Sequence, residues 1–149
     1  MFITQISVYL ENCKGTLRTL TKTLAEAGID MLALSIADTT NFGIVRIVVR
    51  EADIDKAIVA LRENGFIAKT NHVVCAAVPN KPAGLDGLLS IIEAANISIE
   101  YMYSLYYSMD NKALMVLRLS AEDMEKEQIA ALLAKESVDL ISQADINKL

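Results

Sequence analysis

The chain has 149 residues, of which 53% are apolar and 22% charged, with a formal charge of −5. That is enough apolar surface for a self-supporting core and too little charge for disorder, while the acidic balance excludes nucleic acid as the main partner. The longest charge-free stretch, Thr70–Asn80, falls well short of the ~20 apolar residues of a membrane span, and only His72, Cys13 and Cys75 offer imidazole or thiol chemistry. No metal site and no cofactor are therefore expected. The opening run MFITQISVYLENCK has no basic head, so no signal peptide is expected. Two separated cysteines suit a reducing, cytoplasmic setting.

Phe2–Leu10 alternates Ile6, Val8 and Leu10 against Gln5, Ser7 and Tyr9 and predicts a strand. Leu17, Leu20 and Leu24 then recur at helical spacing, and Gly28 supplies the stop. Ile29–Ala37 and Gly43–Val49 predict a hairpin across a turn at Asp38–Phe42. Ile54, Ile58 and Leu61 mark a second helix over Asp53–Asn64, ended by Gly65. Phe66 to Val78 reads as nearly continuous strand, so the last strand of one unit is expected to run straight into the first of the next. The pattern then starts again. Leu85, Leu88 and Ile92 carry a helix whose stop is Asn96, the other residue type that tolerates the left-handed position. Ile97–Tyr107 and Ala113–Leu119 predict a hairpin turning at Asp110–Asn111. Ser120, with Asp123 three residues on, predicts the cap of a helix carrying Ile129, Leu132 and Leu133. Val138–Ser142 is the last expected strand.

Asn12–Asp30 overlies Asn80–Ser98 at an offset of 68, matching Leu17, Leu20 and Leu24 to Leu85, Leu88 and Ile92 and Gly28 to Asn96. Each half therefore predicts an α+β unit of order β-α-β-β-α-β, the ferredoxin-like arrangement. The expected domains are 1–71 and 72–149, a rigid tandem pair. The charge divides with them: residues 1–72 are neutral overall and 73–149 carry the net −5. Asn12 and Asn80, just upstream of the two helices, are candidate caps or turn residues.

Two such units, each with an Asn-x-x-small-x-Leu turn before its first helix, resemble tandem ACT domains. The family turn, Asp/Asn-x-Pro-Gly-x-Leu, is met here by Asn12-Cys13-Lys14-Gly15-Thr16-Leu17 and by Asn80-Lys81-Pro82-Ala83-Gly84-Leu85. Its second-strand entry is met by Gly28-Ile29-Asp30-Met31 and Asn96-Ile97-Ser98-Ile99. The departures are Lys14 in place of Pro and Ala83 in place of Gly. The resemblance covers essentially the whole chain, with no catalytic domain attached. It implies a non-enzymatic regulatory protein that binds a free amino acid and acts on its own assembly or on a partner enzyme of amino-acid metabolism.

The resemblance also implies where the ligand lies, between a helix-entry turn and the second strand of a neighbouring unit. The first turn, with Leu10 and Glu11 leading into it, would face Ile97, Ser98, Ile99, Glu100 and Tyr101. The Asn80–Gly84 turn and Leu85 would face Ile29, Asp30, Met31 and the residues up to Ala33. The N–H groups of Lys14–Leu17 or Ala83–Leu85 would take the carboxylate, which suits the positive end of a helix, and Asp30 or Glu100 the ammonium. The first turn is the better expected site, because Gly15 has no Cβ to obstruct a ligand. A homodimer is expected from the apolar area of the Tyr101, Tyr103, Tyr106, Tyr107 strand, in which alternation puts Tyr101, Tyr103 and Tyr107 on one face. The competing readings are a ligand-free interaction subunit and an acylphosphatase-like enzyme; the latter needs an arginine in the first-strand turn, and neither turn has one. His72 reads as a strand-surface residue and Cys13 as an inert loop thiol.

Overall fold

The computed structural model describes residues 1–11, 13–38 and 42–149. Asn12, a candidate site residue, and the centre of the expected Asp38–Phe42 turn lie outside them. The chain forms two compact units, an N-terminal one over Thr4–His72 and a C-terminal one over Val73–Leu149 with Met1–Ile3.

In the N-terminal unit the elements are β1 (Ile3–Glu11), α1 (Thr16–Glu26), β2 (Ala33–Asp38), β3 (Phe42–Val48), α2 (Glu51–Glu63) and the first part of β4 (Ile67–Pro79). The strand order is β2-β3-β1-β4. Alternation along β1 sends Ile6, Val8 and Leu10 into a core with Leu20 and Leu24 of α1, Val45 and Ile47 of β3 and Leu61 of α2. The opposite face of β1 is polar: buried Gln5 donates from Nε2 to Ser7 Oγ at 3.2 Å, and Ser7 donates to Asn71 Oδ1 at 2.7 Å.

The C-terminal unit repeats the plan with the rest of β4, α3 (Gly84–Ala94), β5 (Ser98–Met109), β6 (Lys112–Ser120), α4 (Lys126–Lys135) and β7 (Asp139–Leu140). β4 pairs β6 on one side and β7 on the other, and β6 pairs β5, giving the order β7-β4-β6-β5. Its core joins Val74, Ala76 and Val78 to Leu88, Ile92, Leu117, Ile129 and Leu133. Each unit is thus the expected β-α-β-β-α-β module, and β4 is the single long strand expected to belong to both.

The internal repeat is visible atom by atom. All four main helices end in the same way: Gly28, Gly65, Asn96 and Ser137 take positive φ, and the N–H of the next residue reaches five residues back. These are Ile29 to Leu24, Phe66 to Leu61, Ile97 to Ile92 and Val138 to Leu133, the bond that closes a Schellman motif. Across the sheets, Ile6 pairs Ile47 and Leu34 pairs Ile47; in the second unit Val74 pairs Leu117 and Met102 pairs Leu117. Val74 and Met102 stand 68 positions after Ile6 and Leu34, whereas Leu117 stands 70 after Ile47. Two residues have been added within the second hairpin. The ladder shows where: Ser104 pairs Met115 and Ser108 pairs Ala113, so Leu105–Tyr107 face Leu114 alone.

Four expectations need correction. The second strands begin later than Ile29 and Ile97, at Ala33 and Ser98, because the N–H groups of Ile29 and Ile97 are spent closing the preceding helices. Helix α4 begins at Lys126, and Ser120 is the last residue of β6. Its cap is Glu125, in a reciprocal capping box with Gln128, whose side chain accepts from the Glu125 N–H at 2.8 Å. The last strand shrinks to Asp139–Leu140, since Ser142 caps a short helix, α5 (Gln143–Ile146), that the periodicity did not announce. The alternation that pairs Tyr107 with Tyr101 and Tyr103 is lost in the irregular stretch: Tyr103 is buried and stacks on Tyr101, but Tyr106 and Tyr107 are exposed. The turn at Asp110–Asn111 is as expected, both residues having positive φ.

Candidate functional site

Both helix-entry turns are built from one hydrogen-bond set. In the first, Cys13 N–H donates to Glu11 O (2.8 Å), Thr16 N–H to Cys13 O (3.3 Å) and Thr19 N–H to Gly15 O (3.0 Å). In the second, Lys81 N–H donates to Pro79 O (2.9 Å), Gly84 N–H to Lys81 O (3.0 Å) and Gly87 N–H to Ala83 O (3.0 Å). The helix caps are Gly15 at φ 90° and Ala83 at φ 65°, and neither helix has a side-chain cap. Asn80 is accordingly not a cap; its N–H donates to Asn111 O at 3.2 Å. The intrahelical ladder of α3 starts at Gly87, so the Leu85 and Asp86 N–H groups remain at the positive end of the helix with no carbonyl to reach.

The second turn opens on a cleft of about 540 Å³. Three of the expected residues, Pro82, Ala83 and Gly84, line it, together with Lys81, the β4 end Ala77–Pro79, and Gly87, Leu88 and Ile91 of α3. Across from the turn stand Lys112 of β6, Ser137 and Val138 just before β7, and Asp139 of β7. Lys112 Nζ lies 2.6 Å from Asp139 Oδ2. The Asp139 carboxylate, by hydrogen bond and then by charge, raises the Lys112 ammonium above its ordinary range. Gly84 is required here for space: a Cβ on it would collide with the Pro79 carbonyl oxygen. Leu85 packs against the core rather than lining the cleft.

The remaining expected residues fall elsewhere. Leu10 and Ile29 are buried in the N-terminal core, with Met31 packed against it. Glu11, Cys13, Lys14, Gly15 and Leu17 are exposed, and Thr16 Oγ1 donates to Cys13 O at 3.0 Å. Asp30 pairs with Arg50 at 3.3 Å and Glu100 with Arg118 at 3.4 Å, so each carboxylate already faces a guanidinium. Ile97, Ser98 and Ile99 border a separate groove along α3, with Asp86, Ser90 and Glu93. Sequence reasoning passed over Lys112, Val138 and Asp139, which have no motif and reach the cleft only because β6 and β7 flank β4. Among the described residues no group of three His, Cys, Asp or Glu is placed to hold a metal ion, and no helix is long and apolar enough to cross a membrane.

The whole chain, residues 1–149, matches the family model described as an ACT domain pair. The chain belongs to that family. ACT domains are regulatory modules, and the two units here are the two ACT domains of the pair. The crystal structure of protein BT0572 from Bacteroides thetaiotaomicron is similar at 37% identity and a TM-score of 0.86, with 100% of this chain and 98% of that one covered. At the level of fold alone, the ACT pair resembles the regulatory subunit of aspartate kinase from Thermus thermophilus, crystallised ligand-free (17% identity, TM-score 0.62, 90% and 91% covered). It also resembles that subunit from Thermus flavus (17% identity, TM-score 0.59, 90% of each covered). No curated protein sequence matches the chain.

Proposed function

We propose that this ACT pair is a cytoplasmic, non-enzymatic regulator, its domains divided at 71/72, that binds a free amino acid at a helix-entry turn. Binding then acts on its own homodimeric assembly or on a partner enzyme of amino-acid metabolism. The observation that carries the reading is the cleft at the Asn80–Gly84 turn, which combines the entry of α3, an ion pair and apolar walls. A cleft of this size and lining is the usual setting for a small ligand. The turn at the positive end of α3 holds the carboxylate beside the Lys112 ammonium, and the second strand of a neighbouring ACT unit completes the site. Although Gly15 makes the first turn the less obstructed of the two, the cleft favours the second. The regulatory subunits of aspartate kinase among the structural relatives support a role beside an enzyme.

The test is calorimetry and thermal unfolding with each of the twenty amino acids. A ligand at a hundred times its Kd stabilises the native state by about 2.7 kcal/mol, a rise of about 5–10 °C for a chain of this size. Asn80→Ala and Ala83→Val should weaken that ligand more than Gly15→Val does; the reverse order moves the site to the first turn. If no amino acid at millimolar concentration gives heat or a shift, the ligand-free interaction subunit replaces this reading. Light scattering that gives 16.3 kDa across micromolar concentrations would refute the homodimer.

A further inference from the structure

We infer that the amino acid taken by the C-terminal unit has an aliphatic side chain, and that the Lys112–Asp139 ion pair recognises its two backbone charges. The inference rests on the reading of the cleft as an amino-acid site and adds to it the ligand's class and the residues that select it.

The first support is the composition of the walls. Ala77, Leu88, Ile91 and Val138 make the wall between α3 and β7 largely apolar, with Ser137 the one uncharged polar side chain in the lining. A charged or amide side chain held there would lose water without gaining a partner, whereas an aliphatic one gains by leaving water. The charged groups of the cleft number three, Lys81, Lys112 and Asp139. Both signs are present, as an α-carboxylate and an α-ammonium require.

The second support is the pair itself. Lys112 Nζ and Asp139 Oδ2 are 2.6 Å apart, on side chains 39% and 50% exposed. An ion pair that open to solvent holds its partners only weakly. A zwitterion can therefore enter it charge for charge, its carboxylate on Lys112 and its ammonium on Asp139, with every charge kept paired. The partners come from β6 and β7, away from the turn, so their contribution is separable from that of the turn.

The experiment is calorimetry of the full chain with leucine, isoleucine, valine and methionine against lysine, aspartate, glutamate, serine and glycine. At least one aliphatic amino acid should bind tenfold more tightly than every polar one. Its amide and its N-acetyl derivative, each lacking one charge, should bind at least tenfold more weakly than the parent. Lys112→Met and Asp139→Asn should each cost at least tenfold, while Lys22→Met, which breaks the exposed Lys22–Glu26 pair on α1, should cost nothing. Melting curves of the three variants establish that they remain folded, as the exposure of both side chains predicts. A polar amino acid binding best overturns this inference and leaves the amino-acid regulator standing, as does an aliphatic ligand indifferent to Lys112→Met and Asp139→Asn. Silence from all amino acids overturns both.

Discussion

Gly84→Ala isolates what shapes the second turn. The residue has no left-handed φ, so conformational freedom is not its role; its role is to leave room for the Pro79 backbone. A methyl there meets the Pro79 carbonyl oxygen deep inside contact distance and the carbonyl carbon at 3.0 Å. The oxygen has to retreat by about 1.4 Å for ordinary contact to return. That retreat takes the 2.9 Å bond from Lys81 N–H to Pro79 O beyond hydrogen-bond range and drags on the 3.0 Å bond from Gly84 N–H to Lys81 O. Two bonds at about 0.5–1.5 kcal/mol each give a loss of about 1–3 kcal/mol. The stiffer unfolded chain returns about 0.4–1 kcal/mol. The net is a destabilisation of about 1–2 kcal/mol, or about 2–8 °C in Tm. Gly87→Ala is the control, in the same helix with nothing within 4 Å of an added Cβ; it should stabilise by about 0.5–1 kcal/mol. Urea unfolding of both variants decides the matter. If Gly84→Ala matches wild type within about 0.3 kcal/mol, below the value of one such bond, the turn does not depend on this close approach.

Ser137 occupies at φ 63° the position that Gly65 fills in the N-terminal unit, so Ser137→Gly should raise the urea midpoint by about 0.5–1 kcal/mol equivalent, relief of left-handed strain outweighing added chain entropy; a lowered midpoint refutes this. Burial pushes the Cys75 thiol up to about 12 while Cys13 is exposed, so a thiol reagent at pH 8 should modify Cys13 in the native protein and reach Cys75 only on unfolding, as peptide mapping would show. The Ser142 hydroxyl, Lys148 and the Ser142 N–H hold the Asp145 carboxyl down at about 2. Because its native pKa lies below the unfolded value of 3.8, the stabilisation is full above that value and disappears as pH falls through about 2. Protection factors for amide exchange over residues 142–147, measured against the intrinsic rate at each pH, should therefore fall between pH 4 and 2, and Asp145→Asn should abolish the dependence.

The helix ends were legible because each rests on one residue type at one position: Gly28, Gly65 and Asn96 all take the left-handed turn their identities suggest. The start of α4 was not. Two residues, Val49 and Arg50, join β3 to α2, whereas five, Ala121–Glu125, join β6 to α4, and the Ser120–Asp123 pattern imitated a cap within that longer connection. The true cap uses a glutamate, outside the usual Ser, Thr, Asp and Asn set. At the candidate site, the turn could be read because its residues are contiguous. The opposite wall could not, since Lys112 and Asp139 stand 27 positions apart and meet only through their separate neighbours on the sheet.

The two residues gained by the second hairpin also say something about how the halves diverged. Side chains along a strand alternate with a period of two, so an odd gain would have reversed the parity of the residues beyond it unless a bulge took up the extra residue, as one does at Glu100. Leu117, which takes the place of Ile47, would then have exchanged the shelter of the helices for the other side of its sheet. An even gain, absorbed in the distortion at Leu105–Tyr107, lengthened one arm and left the inward set unchanged. The added length of this hairpin is thus confined to its far arm, where Tyr106 and Tyr107 stand exposed.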